Sequence, residues 1–206
     1  MSMSSSQPIK FESPDRGEET ARADLYGLLA TLYAAPPSQD LIDTIASARS
    51  EGEGVLEQAW AGLVAACREA DPEAVRDEYE SLFIGVGKPE VMLYGSYYLS
   101  GFLMEKPLAA LRTDLAQLGL ERDASVTESE DHIAMLCEVM RYLIASDEIA
   151  PVGIAEQKRF FATHMQPWVV AMCDAVAAHP ESRFYRVVTA LARTFFEVEM
   201  QAFDMS

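Results

Sequence analysis

The sequence predicts an all-α fold, a single-domain helical bundle. Three observations carry the fold class. Apolar residues recur at three- and four-residue steps along nearly the whole chain, no alternating run of useful length reads as a strand, and no internal repeat or glycine-rich linker divides the sequence. At 206 residues the chain suits one domain, which can bury roughly 70% of its unfolded surface.

The opening MSMSSSQPIKFESPDRGE, residues 1–18, is polar and reads as a mobile tail, with the helical domain spanning 19–206. A first helix runs from about Glu18 with Leu25, Leu28, Leu29 and Leu32 on its periodic face and stops at Pro36-Pro37. Ser38 can cap a short second helix bearing Leu41, Ile42 and Ile45. After Gly52 and Gly54 a third helix places Leu56, Trp60, Leu63, Val64 and Cys67 on one face. Asp71-Pro72 is an N-cap followed by proline at the first helical position, so a helix bearing Val75, Tyr79, Leu82 and Phe83 follows until Gly85, Gly87 and Pro89. The uncharged VMLYGSYYLSGFLM, residues 91–104, is expected to be helical, and Pro107 starts a helix with Leu108, Leu111, Leu115 and Leu118 up to Gly119. Thr127 and Glu130 have capping-box spacing, which predicts that His132 lies in the first turns of a helix with the stripe Ile133, Leu136, Cys137, Met140 and Ile144. Pro167 interrupts the face Phe161, Met165, Trp168, Val169, Met172 and Val176, implying a kink or a new start; a last helix carries Phe184, Val188, Leu191, Phe195 and Val198.

Composition narrows function. Sixteen basic against thirty-three acidic residues leave a net charge of -17, which repels phosphate backbones and anionic headgroups and attracts basic peptides, so no nucleic acid partner is expected. Cys67, Cys137 and Cys173 are odd in number and widely spaced, so neither a disulfide framework nor a zinc knuckle is suggested and a reducing, cytoplasmic setting fits. The longest uncharged run falls short of the roughly 20 residues that span a bilayer, so no stable membrane insertion is expected.

One cluster invites chemistry: TESEDHIAMLC sets Glu128, Glu130 and Asp131 beside His132. Glu128 and His132, four apart on one predicted helix face, could form an acid/base pair, but acidic residues in a first helical turn also serve as caps, and no nucleophile or second cluster accompanies them. Metal ligation wants HxxxH or HExxH spacing, whereas Cys137 and Glu138 stand five and six residues from His132, so neither a metal nor a cofactor is assigned. GVGKP lacks the strand and GxxxxGK[ST] pattern of a phosphate loop and reads as a turn. In EYESLFIGVGKPEVMLYGSYY the aromatics Tyr79, Phe83, Tyr94, Tyr97 and Tyr98, with Leu82, exceed what one helix face buries, which suggests a groove for a peptide that is basic at one end and apolar further along.

YxxLF at a helix end (Tyr79, Leu82, Phe83, after Glu78), followed by ExxDH (Glu128, Asp131, His132) and by FxxHMxPW from Phe161 to Trp168, resembles the TorD/DmsD/NarJ family of molybdoenzyme maturation chaperones. The resemblance runs from about Arg22 to the last helix. It implies a cytoplasmic chaperone, not an enzyme, that binds the twin-arginine signal peptide of the precursor of a molybdenum-containing oxidoreductase. On the same resemblance, binding would delay export and assist cofactor insertion, and a monomer or homodimer is expected. The implied signal-peptide site comprises Tyr79, Leu82, Phe83, Leu93 and Tyr94, with Glu128, Asp131 and His132 at its polar end. Many relatives have a proline pair where Met92-Leu93 precedes Tyr94 here, so the resemblance fixes neither the local backbone, which proline would set and Met92-Leu93 leave free, nor the client preference. The alternative is a hydrolase or nucleotide-using enzyme centred on Glu128, Asp131 and His132.

Overall fold

A computed structural model describes residues 16–123, 126–145 and 153–205 of the chain. The chain is all-α, as its periodicity predicts. In order, the elements are α1 (Arg16–Ala34), α2 (Gln39–Ser47), α3 (Val55–Glu69), α4 (Pro72–Tyr79), a π-helical turn (Glu80–Ile84), α5 (Gly95–Ser100), α6 (Lys106–Gln117), α7 (Ile133–Ala145), α8 (Ile154–His164), α9 (Val169–Ala178) and α10 (Phe184–Met205). Of the polar segment 1–18, residues 1–15 lie outside the described residues and 16–18 open α1. Among the described residues no helix is long and apolar enough to cross a membrane.

Helices α1 and α7 form the most extensive pairing, and α10 packs across α3 and α9. The buried face of α1 differs from the leucine stripe expected of it: Tyr26, Leu29, Ala30, Leu32 and Tyr33 point inward, while Leu25 and Leu28 are only partly covered. The tyrosines can face the core because their hydroxyls find partners there. Tyr26 donates to Glu199 at 3.0 Å, and Tyr33 and Thr189 share a 2.9 Å hydrogen bond. Arg22 binds Glu199 with two nitrogens, at 2.7 and 2.8 Å, and reaches Gln157 at 3.3 Å, joining α1, α8 and α10 through one satisfied polar network.

Two stretches depart from the predicted secondary structure. Of residues 91–104 only Gly95–Ser100 is helical; Val91 to Tyr94 is not, because the N–H of Val91 donates to the carbonyl of Leu82 and Tyr94, itself extended, forms an antiparallel bridge with His132. The helix expected from Thr127 starts only at Ile133. Glu130 turns outward to Arg112 at 2.9 Å and Arg122 at 3.7 Å instead of folding back on Thr127, so no capping box forms. Pro167 lies between α8 and α9 and marks a new helix start.

Candidate functional site

The two principal motifs meet along the segment 91–95, where the non-helical stretch up to Tyr94 enters α5. The carbonyl of Leu93 accepts the N–H of Ile133 at 2.8 Å, and the N–H of Gly95 donates to the carbonyl of Asp131 at 2.9 Å. Leu93, Tyr94, Glu128, Asp131 and His132 are thereby brought together. Tyr79, Leu82 and Phe83 lie in an adjoining aromatic core, joined to the same segment through the Leu82–Val91 hydrogen bond.

Each polar side chain of the cluster has a defined partner. Asp131 is 4% exposed; its Oδ2 accepts the N–H of Ser96 at 2.9 Å, and its Oδ1 accepts the hydroxyl of Ser129. It therefore caps α5 from a distant part of the chain. His132 is itself the N-cap of α7: its Nδ1 accepts the N–H of Ala134 at 3.2 Å and its carbonyl accepts that of Leu136 at 3.1 Å. An imidazole that accepts at Nδ1 is neutral. Burial, only partly opposed by the charges of Glu128 and Asp131, lowers its pKa to about 4. Its ring packs edge-on against Tyr94, with centroids 4.9 Å apart. Tyr94 in turn donates its hydroxyl to Glu128, and burial together with that carboxylate holds the phenol protonated well above its ordinary range.

This arrangement corrects the acid/base geometry read from the sequence. Glu128 and His132 do not share a helix face, since Glu128 lies in the irregular segment before α7 and binds Tyr94. Asp131 and His132 are engaged as helix caps. Among the described residues no group of three or more His, Cys, Asp or Glu is placed to hold a metal ion.

The YESLF segment is also a capping hub. Glu78 accepts the N–H groups of Arg183, Phe184 and Tyr185 at 2.8, 3.0 and 2.8 Å, closing the N-terminus of α10. Tyr79 and Tyr185 donate their hydroxyls to the carbonyls of Tyr33 and Leu32, at 3.1 and 2.9 Å, closing the C-terminus of α1. Burial, then the charge of Glu128, pushes the Tyr79 phenol up to about 12. The π-helical turn that follows tucks Leu82 and Phe83 inward, and Phe83 packs against Tyr33, Tyr79 and Tyr185. Gly85, at φ 64°, ends the turn; a Cβ there would lie 2.2 Å from the carbonyl oxygen of Lys88.

The aromatic surplus noted in the sequence is therefore largely absorbed by the core. Tyr79, Leu82, Phe83 and Leu93 are 5%, 0%, 6% and 3% exposed and offer little contact surface, whereas Tyr94 and Glu128 are half-buried. Tyr98 stacks on Trp168 with ring centroids 5.5 Å apart, and Trp168 donates to the carbonyl of His164 at 2.7 Å. His164 Nε2 lies 2.7 Å from Asp114, which Arg159 also binds at 3.0 Å. Burial alone would raise the Asp114 pKa, but these two partners lower it. The FxxHMxPW motif thus supports the back of the segment that carries Tyr94.

What the sequence reading missed is which apolar residues stay at the surface. Phe102, Leu103 and Met104 stand out between α5 and α6, and Tyr142 is exposed on the outer face of α7, beside Met135 and Val139, which are half-buried against the core. The α7 stripe was available as an i, i+4, i+7 pattern, hidden by the stronger inward stripe of the same helix.

Comparison with known proteins follows the same lines. A family model described as nitrate reductase delta subunit matches residues 52–174, which include all three motifs. Relatives include the chaperone protein TorD of Actinobacillus pleuropneumoniae serotype 7, 24% identical over 86% of this chain and 79% of that one. The TorD of Vibrio parahaemolyticus is also 24% identical, over 86% of this chain and 92% of the relative, and a Vibrio cholerae TorD is 22% identical over 62% and 61%. The crystal structure of a candidate redox enzyme maturation protein from Archaeoglobus fulgidus shares the fold, with a TM-score of 0.57, 18% identity and coverage of 95% of this chain and 99% of that one. The chain belongs to the nitrate reductase delta subunit family, the TorD/DmsD/NarJ group that its motifs resemble.

Proposed function

We propose that this protein is a cytoplasmic chaperone for the maturation of a molybdenum-containing oxidoreductase, and that it binds the twin-arginine signal region of the precursor while the cofactor is inserted. The observation that carries the reading is the family match across residues 52–174, with relatives named chaperones. The physical chemistry fits that role. A chain of net charge -17 attracts a segment that begins with two arginines, and Glu128 is a half-buried carboxylate at the edge of the motif cluster. Tyr94 and Glu128 are the members of the expected site that can touch a ligand. Tyr79, Leu82, Phe83, Leu93, Asp131 and His132 act by holding that edge in place. No bond is made or broken in this role.

Titration of the pure protein with labelled twin-arginine signal peptides tests it. Replacing both arginines by lysine, or scrambling the apolar segment, is expected to weaken binding at least tenfold. Failure of a broad set of such peptides to bind would sink the reading.

A further inference from the structure

Helix α7 has two apolar faces. Ile133, Leu136, Cys137, Met140 and Ile144 are buried inward, while Met135, Val139 and Tyr142 line a groove of about 230 Å³ against Leu115 and Leu120 of the α6 end. Tyr142 is 48% exposed, while Met135 and Val139 are half-buried, with one side against the core and the other towards the groove. The volume lies below the roughly 300 Å³ at which small-molecule sites begin, yet suits a few side chains of a docked helix. From Met135 to Tyr142 the stripe extends about 10 Å along the helix axis, two turns, the reach of i, i+3/i+4, i+7 anchors.

The rim is acidic. Glu121, Glu130 and Glu138 stand around the groove, with Arg122 the one cation among its described lining residues. Glu121 and Glu130 also share the adjoining cleft beside Arg112, and Glu130 lies two residues from Glu128 on the segment before α7. The contact of Glu138 with Arg141 is long, 3.4 Å, between side chains about half exposed, so it competes weakly with an incoming cation.

We propose that the α6–α7 groove seats the apolar segment of the signal peptide as a helix, with the paired arginines held by Glu121 and Glu138 on its rim, since Glu130 is already paired with Arg112 and Arg122. This rests on the signal-binding reading above and places the apolar contact on α7 rather than on the buried Tyr79–Phe83 cluster. A membrane surface is a poor occupant, because a chain of charge -17 is repelled by anionic lipid. A second copy is poorer than a basic peptide for the same reason, since two acidic rims would face each other.

The test uses the full chain and a fluorescein-labelled peptide of two arginines followed by an apolar segment. Tyr142→Asp is expected to weaken binding at least tenfold with the melting temperature nearly unchanged, and Val139→Asp to weaken it similarly with a lowered melting temperature, because Val139 is half-buried against the core. Joint Glu121→Lys and Glu138→Lys substitution is expected to weaken it at low salt, with the difference shrinking at high salt. A photo-crosslinking residue at Tyr142 should capture the apolar segment of the peptide, a readout that holds if Val139→Asp fails to fold. If the wild type binds while both aspartate variants bind equally well, the groove is overturned and the chaperone reading stands. If the crosslink joins two copies of this chain instead, the groove assignment also fails. If the wild type binds no such peptide, both readings fall.

Discussion

Asp131 caps helix α5 through space: its Oδ2 accepts the N–H of Ser96 at 2.9 Å, across 35 residues of sequence. The same backbone stretch pairs with the segment that carries Tyr94, so this one carboxylate fixes how the two motifs meet.

Asp131→Ala removes the acceptor and leaves a buried N–H unpaired, at an expected cost of about 1–3 kcal/mol. Asp131→Asn retains an acceptor oxygen and should cost less. Urea unfolding of both variants checks the order; a loss from Asn equal to that from Ala would show that charge, not the acceptor, is what α5 requires.

His132 predicts a pH dependence. Its pKa is lowered to about 4 in the folded chain by burial and lies near 6.5 when unfolded. Between those values the unfolded chain binds a proton that the folded chain does not, so stability falls as pH drops from about 6.5 to about 4, by roughly 3 kcal/mol in all. His132→Asn keeps a capping acceptor and cannot titrate there. The difference in unfolding free energy between wild type and variant should therefore move in the variant's favour across that window, and a pH-independent difference would refute the assignment.

Glu78 closes α10 with three hydrogen bonds, two of them to Oε1. Glu78→Ala is expected to cost about 1–2 kcal/mol, in the range of lost N-caps, and Glu78→Gln distinctly less. Thermal melts report the difference as a shift of about 2–4 °C per kcal/mol for a chain of this size. Signal-peptide affinity measured below the melt should be unaffected by either change.

Gly95 faces the indole of Trp168, and a Cβ there would lie 2.9 Å from Nε1 and 3.0 Å from Cε2. That ring cannot easily retreat, held as it is by the His164 carbonyl and the Tyr98 stack. Gly95→Ala is expected to destabilise by about 1–3 kcal/mol. A melting temperature equal to the wild type's would mean that the indole has a second position.

The sequence by itself determined the fold class and the order of the helices, because burial of an apolar stripe with a period near 3.6 is a local pattern that needs no knowledge of neighbours. It also determined the sign of the charge and the motifs that place the chain in its family. It could not show that Glu78, Tyr79 and Asp131 cap helices remote from them, since such hydrogen bonds depend on which helix ends the fold brings alongside. Thr127 and Glu130 satisfied a local capping rule, yet Arg112 and Arg122 claimed Glu130 and the bridge between Tyr94 and His132 held the backbone extended, so α7 starts at Ile133. The tertiary structure also decided which apolar residues stay at the surface: Tyr79 and Phe83 are enclosed by Tyr33 and Tyr185, while nothing among the described residues encloses Tyr142 to the same degree. Periodicity identifies a face of a helix, and only packing determines whether that face is covered.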